Sequence, residues 1–341
     1  MKPKSFRQRI LDPRRLKAMH VRTQVETGIR RFFLQREFQE VRTPLIVVSP
    51  GMEPHIRPFQ IKSSALPDQT HYLPTSPEFA MKKLLVGGLE KIFQICPAFR
   101  DEPHSLTHRP EFTLLEWYRA HSNLEDIMKD TEELVEALAL ELYGQPSFPF
   151  QGRQISVQTP WPRLQIRDLF QKHVQLDLTQ CRTLEQMTQE CQRLKIQVSP
   201  GETWDDLYFK IWLDLIEPHL PTDQAVFVTR YPASQAALAV IDQDPDGSAW
   251  ARRFEFYAGG IELGNAFEEL TDPIEQRARF VQDMDLREAI YGDSLPRSPI
   301  DEEFIQALEE GLPPSGGIAV GVDRLIMLLA DEPDIAYTQW L

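Results

Sequence analysis

The chain has 341 residues and a formal net charge of −14 at pH 7, with 26% charged and 42% hydrophobic residues. Such a composition is typical of a soluble globular protein. The sequence contains neither an apolar run near the roughly 20 residues that span a bilayer nor a signal-peptide core. We therefore expect a cytosolic protein without a membrane partner. The acidic charge disfavours long-range attraction to nucleic acids, although it does not exclude a local basic patch.

Length and the metal-binding residue types narrow the class further. At about 150 residues per domain the chain could hold two domains, but one large catalytic sheet also fills this length. The three cysteines, Cys96, Cys181 and Cys191, are too few and wrongly spaced for a zinc cluster or a disulfide framework. The eight histidines show no metalloprotease pairing, and we interpret all of them as structural except His108.

The apolar periodicity predicts alternating helical and strand-rich regions. In the first half of the chain we expect a helix over about 14–36, strands over 91–99 and 112–119, and a helix over 122–144. A helical insertion should follow over about 150–222, with helices at 184–194 and 204–216. In the last third we expect strands over 225–229, 236–241, 253–257 and 261–267, helices over 274–289 and 301–310, and a strand from 315 that becomes a helix by 325. Ser122 and Glu125 have the spacing of a capping box, and Gly144 ends that helix. The insertion carries no motif with identifiable chemistry.

The strand over 112–119 has an unusual face. A period of two places Phe112, Leu114, Glu116 and Tyr118 on the same side. A buried carboxylate without a partner costs several kcal/mol, so this row requires a cationic ligand or an internal Lys or Arg. A charged hairpin packed by a neighbouring Arg is the alternative interpretation.

A glycine-spaced segment near the other end of the chain suits phosphate binding. Residues 315–324 form an apolar strand that runs into a helix with Arg324 in its first turn. The glycines allow a ligand or another backbone to approach closely, and a helix N-terminus with an Arg favours an anion. The chain has neither a P-loop nor a Rossmann fingerprint, so an ATP site must be built differently.

Together these segments resemble a known family. Residues 99–118 and 315–324 resemble motifs 2 and 3 of the class II aminoacyl-tRNA synthetases, and residues 14–44 resemble motif 1. Within that class the chain resembles lysyl-tRNA synthetase, and more closely its shortened relatives, the ligases that attach (R)-β-lysine to elongation factor P. The sequence segments that carry this resemblance lie at 55–59, 75–78, 81–85, 110–119, 232–236 and 260–265.

The resemblance implies an α+β fold with a central antiparallel β-sheet flanked by helices, as one catalytic domain over 1–341, and a homodimer. An N-terminal anticodon-binding barrel needs roughly a hundred residues before motif 1, and only about a dozen residues precede the first predicted helix. We therefore expect no anticodon-binding domain and no tRNA partner.

The resemblance also implies an ATP site with Mg²⁺. It places Arg100 on the α-phosphate, Glu102 at the adenine edge, His108 near the outer phosphates, Phe112 against the adenine and Arg324 over its other face and at the γ-phosphate. Arg100 and Arg324 are the catalytic pair, unless they form structural salt bridges. The remaining ATP contacts are Asp101, Arg109, Glu262, Leu263, Asn265 and Gly321.

Glu255 and Glu262 are the implied Mg²⁺ ligands, with a solvated acidic strand end as the competing interpretation. Strict alternation puts Glu262 and Asn265 on opposite faces, so we predict a β-bulge around Gly264.

The implied amino-acid pocket is acidic. Glu78 receives the amine at the reactive end, and Glu116, Tyr118 and Glu269 receive a distal ammonium. Two carboxylates and a phenol select a positively charged side chain because a neutral ligand would leave them buried and unpaired. Lysine or a lysine isomer satisfies this. The resemblance adds Ser76, Pro77 and Ala319 to the pocket.

Three residues depart from the lysine family's pattern without removing a catalytic charge: Asp101 and Arg109 each stand where Asn is usual, and Ala266 where Gly is usual. The expected function is an ATP-dependent ligase that forms a lysyl or β-lysyl adenylate and transfers it to a lysine of elongation factor P. A truncated synthetase that acylates tRNA or another small acceptor, and an inactive paralogue acting as a scaffold, remain alternatives.

Overall fold

The computed structural model describes residues 5–66, 69–295 and 297–340. The α-helices in these ranges are α1 (Phe6–Ile10), α2 (Pro13–Gln35), α3 (Glu78–Val86), α4 (Leu124–Tyr143), α5 (Ile166–Val174), α6 (Leu184–Arg193), α7 (Trp204–Ile211), α8 (Pro273–Tyr291), α9 (Glu302–Gly311) and α10 (Val322–Leu329). The described helices include none that is long and apolar enough to cross a membrane.

The β-strands of the same ranges are β1 (Gln39–Glu40), β2 (Gln60–Ile61), β3 (His71–Tyr72), β4 (Lys91–Phe99), β5 (Glu111–Ala120), β6 (Ser147–Phe150), β7 (Arg153–Ser156), β8 (Arg163–Gln165), β9 (Val226–Pro232), β10 (Ile241–Gln243), β11 (Ala249–Ala258), β12 (Ile261–Glu268) and β13 (Ser315–Gly321).

One nine-stranded sheet organises the molecule, in the order β1-β4-β5-β13-β12-β11-β9-β8, with β10 beside β11. The pairings from β4 through β9 are antiparallel, whereas β1 and β8 add to the two ends in parallel. The predicted α+β fold with a central antiparallel sheet is therefore confirmed. Strand β13 inserts between β5 and β12, so the two segments recognised as motifs 2 and 3 are direct neighbours.

The two faces of the sheet have different chemistry because side chains alternate along each strand. On the back face, Leu115, Trp117, Ile318 and Phe254 join the main core, into which α2, α4 and α10 also pack. On the front face, a second core beneath α3, α8 and α9 includes Tyr118. A third core packs α5, α6 and α7 over β9 and β11. The front face between these two helical groups carries the polar residues.

Most predicted elements are present within one or two residues of their expected bounds, but three predictions were wrong. The capping box of α4 uses Asn123 and Asp126, whereas the Ser122 hydroxyl donates to the carbonyl of Arg119. The predicted strand over 236–241 is not formed, because the chain turns there and β10 begins only at Ile241. The region 150–222 is not helical throughout, since it begins with β7 and β8.

Candidate active site

Helix α3 buries two opposite charges one turn apart. Pro77 precedes the helix, and Glu78 lies in the first turn, where the helix dipole favours a carboxylate. Lys82 follows four residues later on the same side of the helix. Its Nζ donates a 2.6 Å hydrogen bond to Oε1 of Glu78, and only 1% of the Lys82 side chain is exposed. Lys82 is therefore an internal cation of this site.

Glu116 lies on β5 and is fully buried. Its Oε1 accepts a 2.6 Å hydrogen bond from the Ser76 hydroxyl, and its Oε2 accepts one of 3.0 Å from the Tyr118 hydroxyl. Ser76 Oγ also accepts from the backbone N–H of Glu78 at 3.0 Å. Ser76 thus joins the start of α3 to the middle of the sheet, which places Glu78 and Glu116 in one pocket.

Glu269 closes the same pocket from the end of β12. Its Oε2 lies 2.5 Å from Lys82 Nζ, and its Oε1 has no hydrogen-bond donor in the described part of the chain. A Cβ at Gly317 would lie 2.2 Å from Tyr118 Cε1 and 2.7 Å from Glu269 Oε1. Only glycine therefore leaves room on β13 for both the tyrosine ring and this carboxylate.

The pocket has more negative than positive groups. Three carboxylates, those of Glu78, Glu116 and Glu269, surround the one ammonium of Lys82, so full ionisation leaves two negative charges. Burial raises the pKa of Glu116 to about 8. Burial also raises the pKa of Glu269 to about 8, although the Lys82 charge lowers it. At neutral pH a ligand cation is required to keep these carboxylates ionised.

A row of side chains crosses the front face from this pocket to a second acidic group. Ala319 of β13 pairs with Glu116 on one side and with Asn265 on the other, and Asn265 pairs with Glu255 of β11. Directly opposed residues share a face of the sheet. The amino-acid pocket and the predicted metal ligands are therefore parts of one continuous surface.

The predicted β-bulge is present. The register shifts between the pairs Phe256–Gly264 and Tyr257–Glu262, so Leu263 is the extra residue of β12. The bulge returns Glu262 to the front face beside Asn265. It also sends the Leu263 side chain into the main core, where it is 2% exposed. The predicted contact of Leu263 with ATP can therefore be made only through its backbone.

Glu255 and Glu262 repel each other across the bulge. Burial and the charge of Glu255 raise the pKa of Glu262 to about 7. Glu255 is itself held at both oxygens, by Arg253 Nη2 at 2.6 Å and by the Tyr257 hydroxyl at 2.8 Å. The described residues contain no group of three or more His, Cys, Asp or Glu side chains that could by themselves hold a metal ion.

This carboxylate pair nonetheless fits Mg²⁺, which takes one or two carboxylates and completes its shell with phosphate oxygens and water. A buried amide oxygen, Oδ1 of Asn265, accepts no hydrogen bond from the described residues. The donor set is thus made of hard oxygens, as the cation requires, and a cation would relieve the repulsion.

Arg324 lies at the first turn of α10 and connects three segments. Its Nη1 donates to the carbonyl of Glu262 at 2.8 Å, its Nε donates to the carbonyl of Thr107 at 3.2 Å, and its Nη2 lies 2.7 Å from Nε2 of His108. Burial and the nearby Arg324 charge lower the pKa of His108. His108 is therefore a neutral acceptor, and its Nδ1 faces the Ser105 hydroxyl at 2.9 Å.

Arg100 follows β4 and is placed for an anion. Its guanidinium carbon lies 5.2 Å from the centre of the Phe112 ring. Its buried Nε has no hydrogen-bond partner among the residues that the structure describes. The charges of Glu102 and Arg100 both act on His108, so these residues share one region with Arg324. Structural salt bridges do not account for Arg100, since it forms no ion pair within the described residues.

The other predicted ATP residues lie at the edge of this region. Asp101 is exposed, and its backbone N–H donates to the carbonyl of Arg57 at 2.7 Å. Arg109 is half-buried and has no ion pair inside the described ranges. Gly321 precedes α10, and a Cβ there would meet nothing closer than 3.7 Å. The structure therefore gathers the predicted residues on one face, apart from the Leu263 side chain and the exposed Asp101.

Comparison with known proteins agrees with this geometry. The family model described as tRNA synthetases class II (D, K and N) matches residues 2–340. The chain belongs to this family. Similar proteins include the lysine–tRNA ligase of Pelotomaculum thermopropionicum, at 36% identity over 337 residues, which cover 97% of this chain and 65% of the relative.

Two further relatives bear the same name. The lysine–tRNA ligase of Dehalococcoides mccartyi (strain 195) is 35% identical over 336 residues, covering 97% of this chain and 66% of the relative. That of Acinetobacter baumannii (strain AYE) is 37% identical over 321 residues, covering 94% and 61%. This class II chain therefore spans just under two thirds of the length of these curated relatives.

Sequence reasoning missed three functional neighbours in this class II site. Lys82 is the internal cation that was expected, as an alternative to a cationic ligand, beside the side chains that share a face of β5 with Glu116. Arg253 and Tyr257 orient Glu255. A signal existed for each: Lys82 is four residues from Glu78 on one helix, and Arg253 and Tyr257 are two residues from Glu255 on one strand, where they share its face.

Proposed function

We propose that this protein activates lysine or (R)-β-lysine as an acyl-adenylate with ATP and transfers the acyl group to a lysine side chain of elongation factor P. One observation carries the choice of substrate. Three carboxylates, of which Glu116 and Glu269 are buried and Glu78 is 12% exposed, lie around a single internal ammonium, and Arg324 contacts the backbone of Glu262 on the same surface. An inactive scaffold has no physical reason to retain buried charges that cost stability.

The charges of the pocket match those of a diamine acid. Lysine and β-lysine each bring two ammonium groups, which offset the two negative charges left by Glu78, Glu116, Glu269 and Lys82. Glu78, near the start of α3, receives the amine next to the reacting carboxylate. Glu116, Tyr118 and Glu269 receive the distal ammonium. A monoamine acid would leave one carboxylate buried without a cation, which disfavours its binding.

In the activation step, the positive charges of Arg100 and Arg324 stabilise the reacting phosphates of ATP. A carboxylate oxygen of the amino acid attacks the α-phosphorus of ATP, the bond to the β-phosphate breaks, and pyrophosphate leaves. Arg100 stabilises the charge that develops on the α-phosphate oxygens, and Arg324 holds the outer phosphates with His108 beside it. Bound between Glu255 and Glu262, Mg²⁺ would supply further charge neutralisation at the phosphates.

In the transfer step, an unprotonated acceptor amine attacks the carbonyl carbon of the adenylate, AMP leaves, and the amide nitrogen loses a proton to solvent. Two features support a protein acceptor over tRNA. The chain carries a net charge of −14, which repels a polyanion at long range. The strand around Ala319 also resembles that of the β-lysine ligases, whereas lysyl-tRNA synthetases have Gly in place of Ala319.

The decisive experiment offers radiolabelled (R)-β-lysine or lysine with ATP to purified elongation factor P and to bulk tRNA in parallel reactions. We expect label on elongation factor P only. Pyrophosphate exchange into ATP, measured without acceptor, tests activation separately. This exchange should depend on lysine or β-lysine. Glu269→Gln should lose most of the exchange activity, because removing one member of a desolvated charge pair costs roughly 2–5 kcal/mol. Exchange stimulated equally by leucine would refute the pocket assignment.

A second candidate is a synthetase that charges tRNA. It is favoured by the three relatives described above, each of which is a lysine–tRNA ligase. Robust labelling of tRNA at physiological salt, without labelling of elongation factor P, would select this candidate. The salt matters because binding through phosphates weakens steeply as the salt concentration rises.

We also propose a homodimer. Leu34 on α2 is 57% exposed, and Ile46 in the following segment is 51% exposed. Burying such side chains against a second copy is favourable. Light scattering should report about twice the 39.5 kDa mass of the chain, whereas a monomer at micromolar concentration would contradict this.

A further inference from the structure

Lys82 is the member of the amino-acid pocket that neither the substrate nor ATP requires as a ligand. Its Nζ lies 2.6 Å from Glu78 Oε1 and 2.5 Å from Glu269 Oε2. Its side chain is 1% exposed, and that of Glu269 is fully buried. Lys82 therefore joins two carboxylates that belong to different ends of the proposed substrate and to different elements of the fold.

We propose that Lys82 is a positioning and charge-setting residue that favours the ionised forms of Glu78 and Glu269 and orients them for the two ammonium groups of a diamine acid. This inference rests on the proposed function and extends it. Lys82 donates a hydrogen bond to Glu78 Oε1 and forms an ion pair with Glu269 Oε2. Glu269 Oε1 is buried without a hydrogen-bond donor among the described residues, which leaves it for a ligand cation.

The physical reason is the cost of burying like charges together. Burial and mutual repulsion favour the protonated forms of Glu78 and Glu269, and the charge of Lys82 opposes this. Lys82 itself is buried, yet the two carboxylates raise its pKa, so it stays charged. A protonated carboxyl group cannot hold an ammonium ion as an ion pair. Without Lys82 the pKa values of Glu78 and Glu269 would rise further, so that at neutral pH a diamine substrate would have to displace protons more tightly held than in the wild type.

Other charged groups face these carboxylates from each packed element. Glu116 and Tyr118 face them from β5, Glu268 adjoins Glu269 on β12, and Glu53 faces Glu78 from the loop before α3. None of these groups is a cation. Within the described residues Lys82 is thus the internal positive charge on which the ionisation of the pocket depends.

The pH dependence has a definite sign. Removing Lys82 raises the pKa of Glu78 and Glu269 further, so lysine must displace protons in order to bind. Below those raised pKa values the affinity for lysine should fall by up to about tenfold per pH unit. Above them the loss should vanish, because the carboxylates are ionised and no internal cation competes with the ligand.

Lys83 supplies a matched control. It is the next residue of α3, but its Nζ pairs with Asp301 and Glu303 outside the pocket. Lys83→Met removes the same charge from the same helix without touching Glu78 or Glu269. A purely structural contribution of a lysine in α3 would appear in both variants.

The experiment measures lysine binding by calorimetry from about pH 6.5 to 9.5 for the wild type, Lys82→Met, Lys82→Gln and Lys83→Met, with thermal unfolding recorded for each. Lys82→Gln is neutral but can still donate hydrogen bonds to both carboxylates. We expect at least a tenfold weaker affinity for both Lys82 variants near pH 7, recovery at the alkaline end, and a wild-type profile for Lys83→Met. Affinity for ATP should not change.

The outcomes separate the two proposals. If the wild type does not bind lysine or β-lysine, the proposed function fails before Lys82 is tested. If the wild type binds and the Lys82 variants show the same profile, or a loss that is equal at every pH, the positioning role is refuted. If both neutral variants fail to fold while Lys82→Arg folds, Lys82 serves stability and the proposal is also overturned.

Discussion

The guanidinium of Arg324 lies 2.7 Å from Nε2 of His108, although 216 positions separate the two residues. The contact joins the first turn of α10 to the loop between β4 and β5. A fixed positive charge beside an imidazole opposes its protonation, so this pair works as donor and acceptor only while His108 is neutral.

This relationship predicts an acid-sensitive stability. Burial and the Arg324 charge lower the pKa of His108 from the usual 6.5. The unfolded chain therefore binds the proton more readily, and the free energy of unfolding should fall as the pH drops below about 6.5. His108→Gln should reduce that fall in urea titrations at roughly pH 7.5 and 5.5. His104→Gln, exposed in the same loop, is the control and should retain it.

Ionisation of the buried Glu116 carboxyl group should lower the free energy of unfolding at alkaline pH. Its folded-state pKa of about 8 lies above the usual 4.5, so its contribution is favourable below pH 4.5 and is lost as the pH rises through 8. Glu116→Gln should therefore raise the free energy of unfolding near pH 9, by roughly 2–4 kcal/mol. The same variant should lose lysine binding because the ammonium has lost a carboxylate.

Glu132→Gln is the matched control for that variant. Glu132 is also buried, at 7% exposure, but it lies on α4, which packs on the back face of the sheet, and accepts a hydrogen bond from the backbone N–H of Trp161. Its replacement should leave lysine binding unchanged. Loss of binding in both variants would show that general destabilisation, rather than the pocket charge, is the cause.

Gly317→Ala should damage the pocket through its backbone position. The added methyl would overlap the Tyr118 ring, whose Cε1 lies 2.2 Å away, and Tyr118 is 3% exposed and cannot move freely. We expect a loss of about 1–3 kcal/mol in the free energy of unfolding and weaker lysine binding. Gly321→Ala, on the same strand with no atom nearer than 3.7 Å, should be tolerated in both measurements.

Ala319→Gly should shift the isomer preference toward α-lysine. Ala319 is half-buried between Glu116 and Asn265 on the front face, and in the proposed binding mode its methyl would narrow the pocket floor beside the amine-bearing carbon. One methylene-sized change is worth about 1–3 kcal/mol, or roughly 10–200-fold in specificity. The ratio of kcat/KM for the two isomers measures the shift.

Ala266→Gly gives the comparison for that variant. Ala266 pairs with Ile318 on the back face and is fully buried, so its replacement removes a methyl from the core and not from the pocket. It should lower stability without changing the isomer ratio. An unchanged ratio for Ala319→Gly would mean that Ala319 is only a well-packed strand residue.

Local sequence patterns were sufficient to predict most helices and strands and the face of the sheet that carries the candidate site. The alternation along β5 predicted that Glu116 and Tyr118 share one side, because the period of two in a strand is displayed directly by the sequence. The bulge that returns Glu262 to that side was predicted because the family resemblance places Glu262 and Asn265 in one site, which strict alternation does not allow. The boundary errors occurred where a cap or turn competes with neighbouring residues, as at Asn123.

The sequence by itself thus determined the strands, the acidic row and the need for a cation beside it. Only the tertiary structure decided which cation is present. Lys82 reaches Glu269 because α3 packs against β5, although the two residues are 187 positions apart in the chain. Periodicity describes one segment at a time, whereas the ionisation of a buried carboxylate depends on every charge that folding brings within a few ångströms.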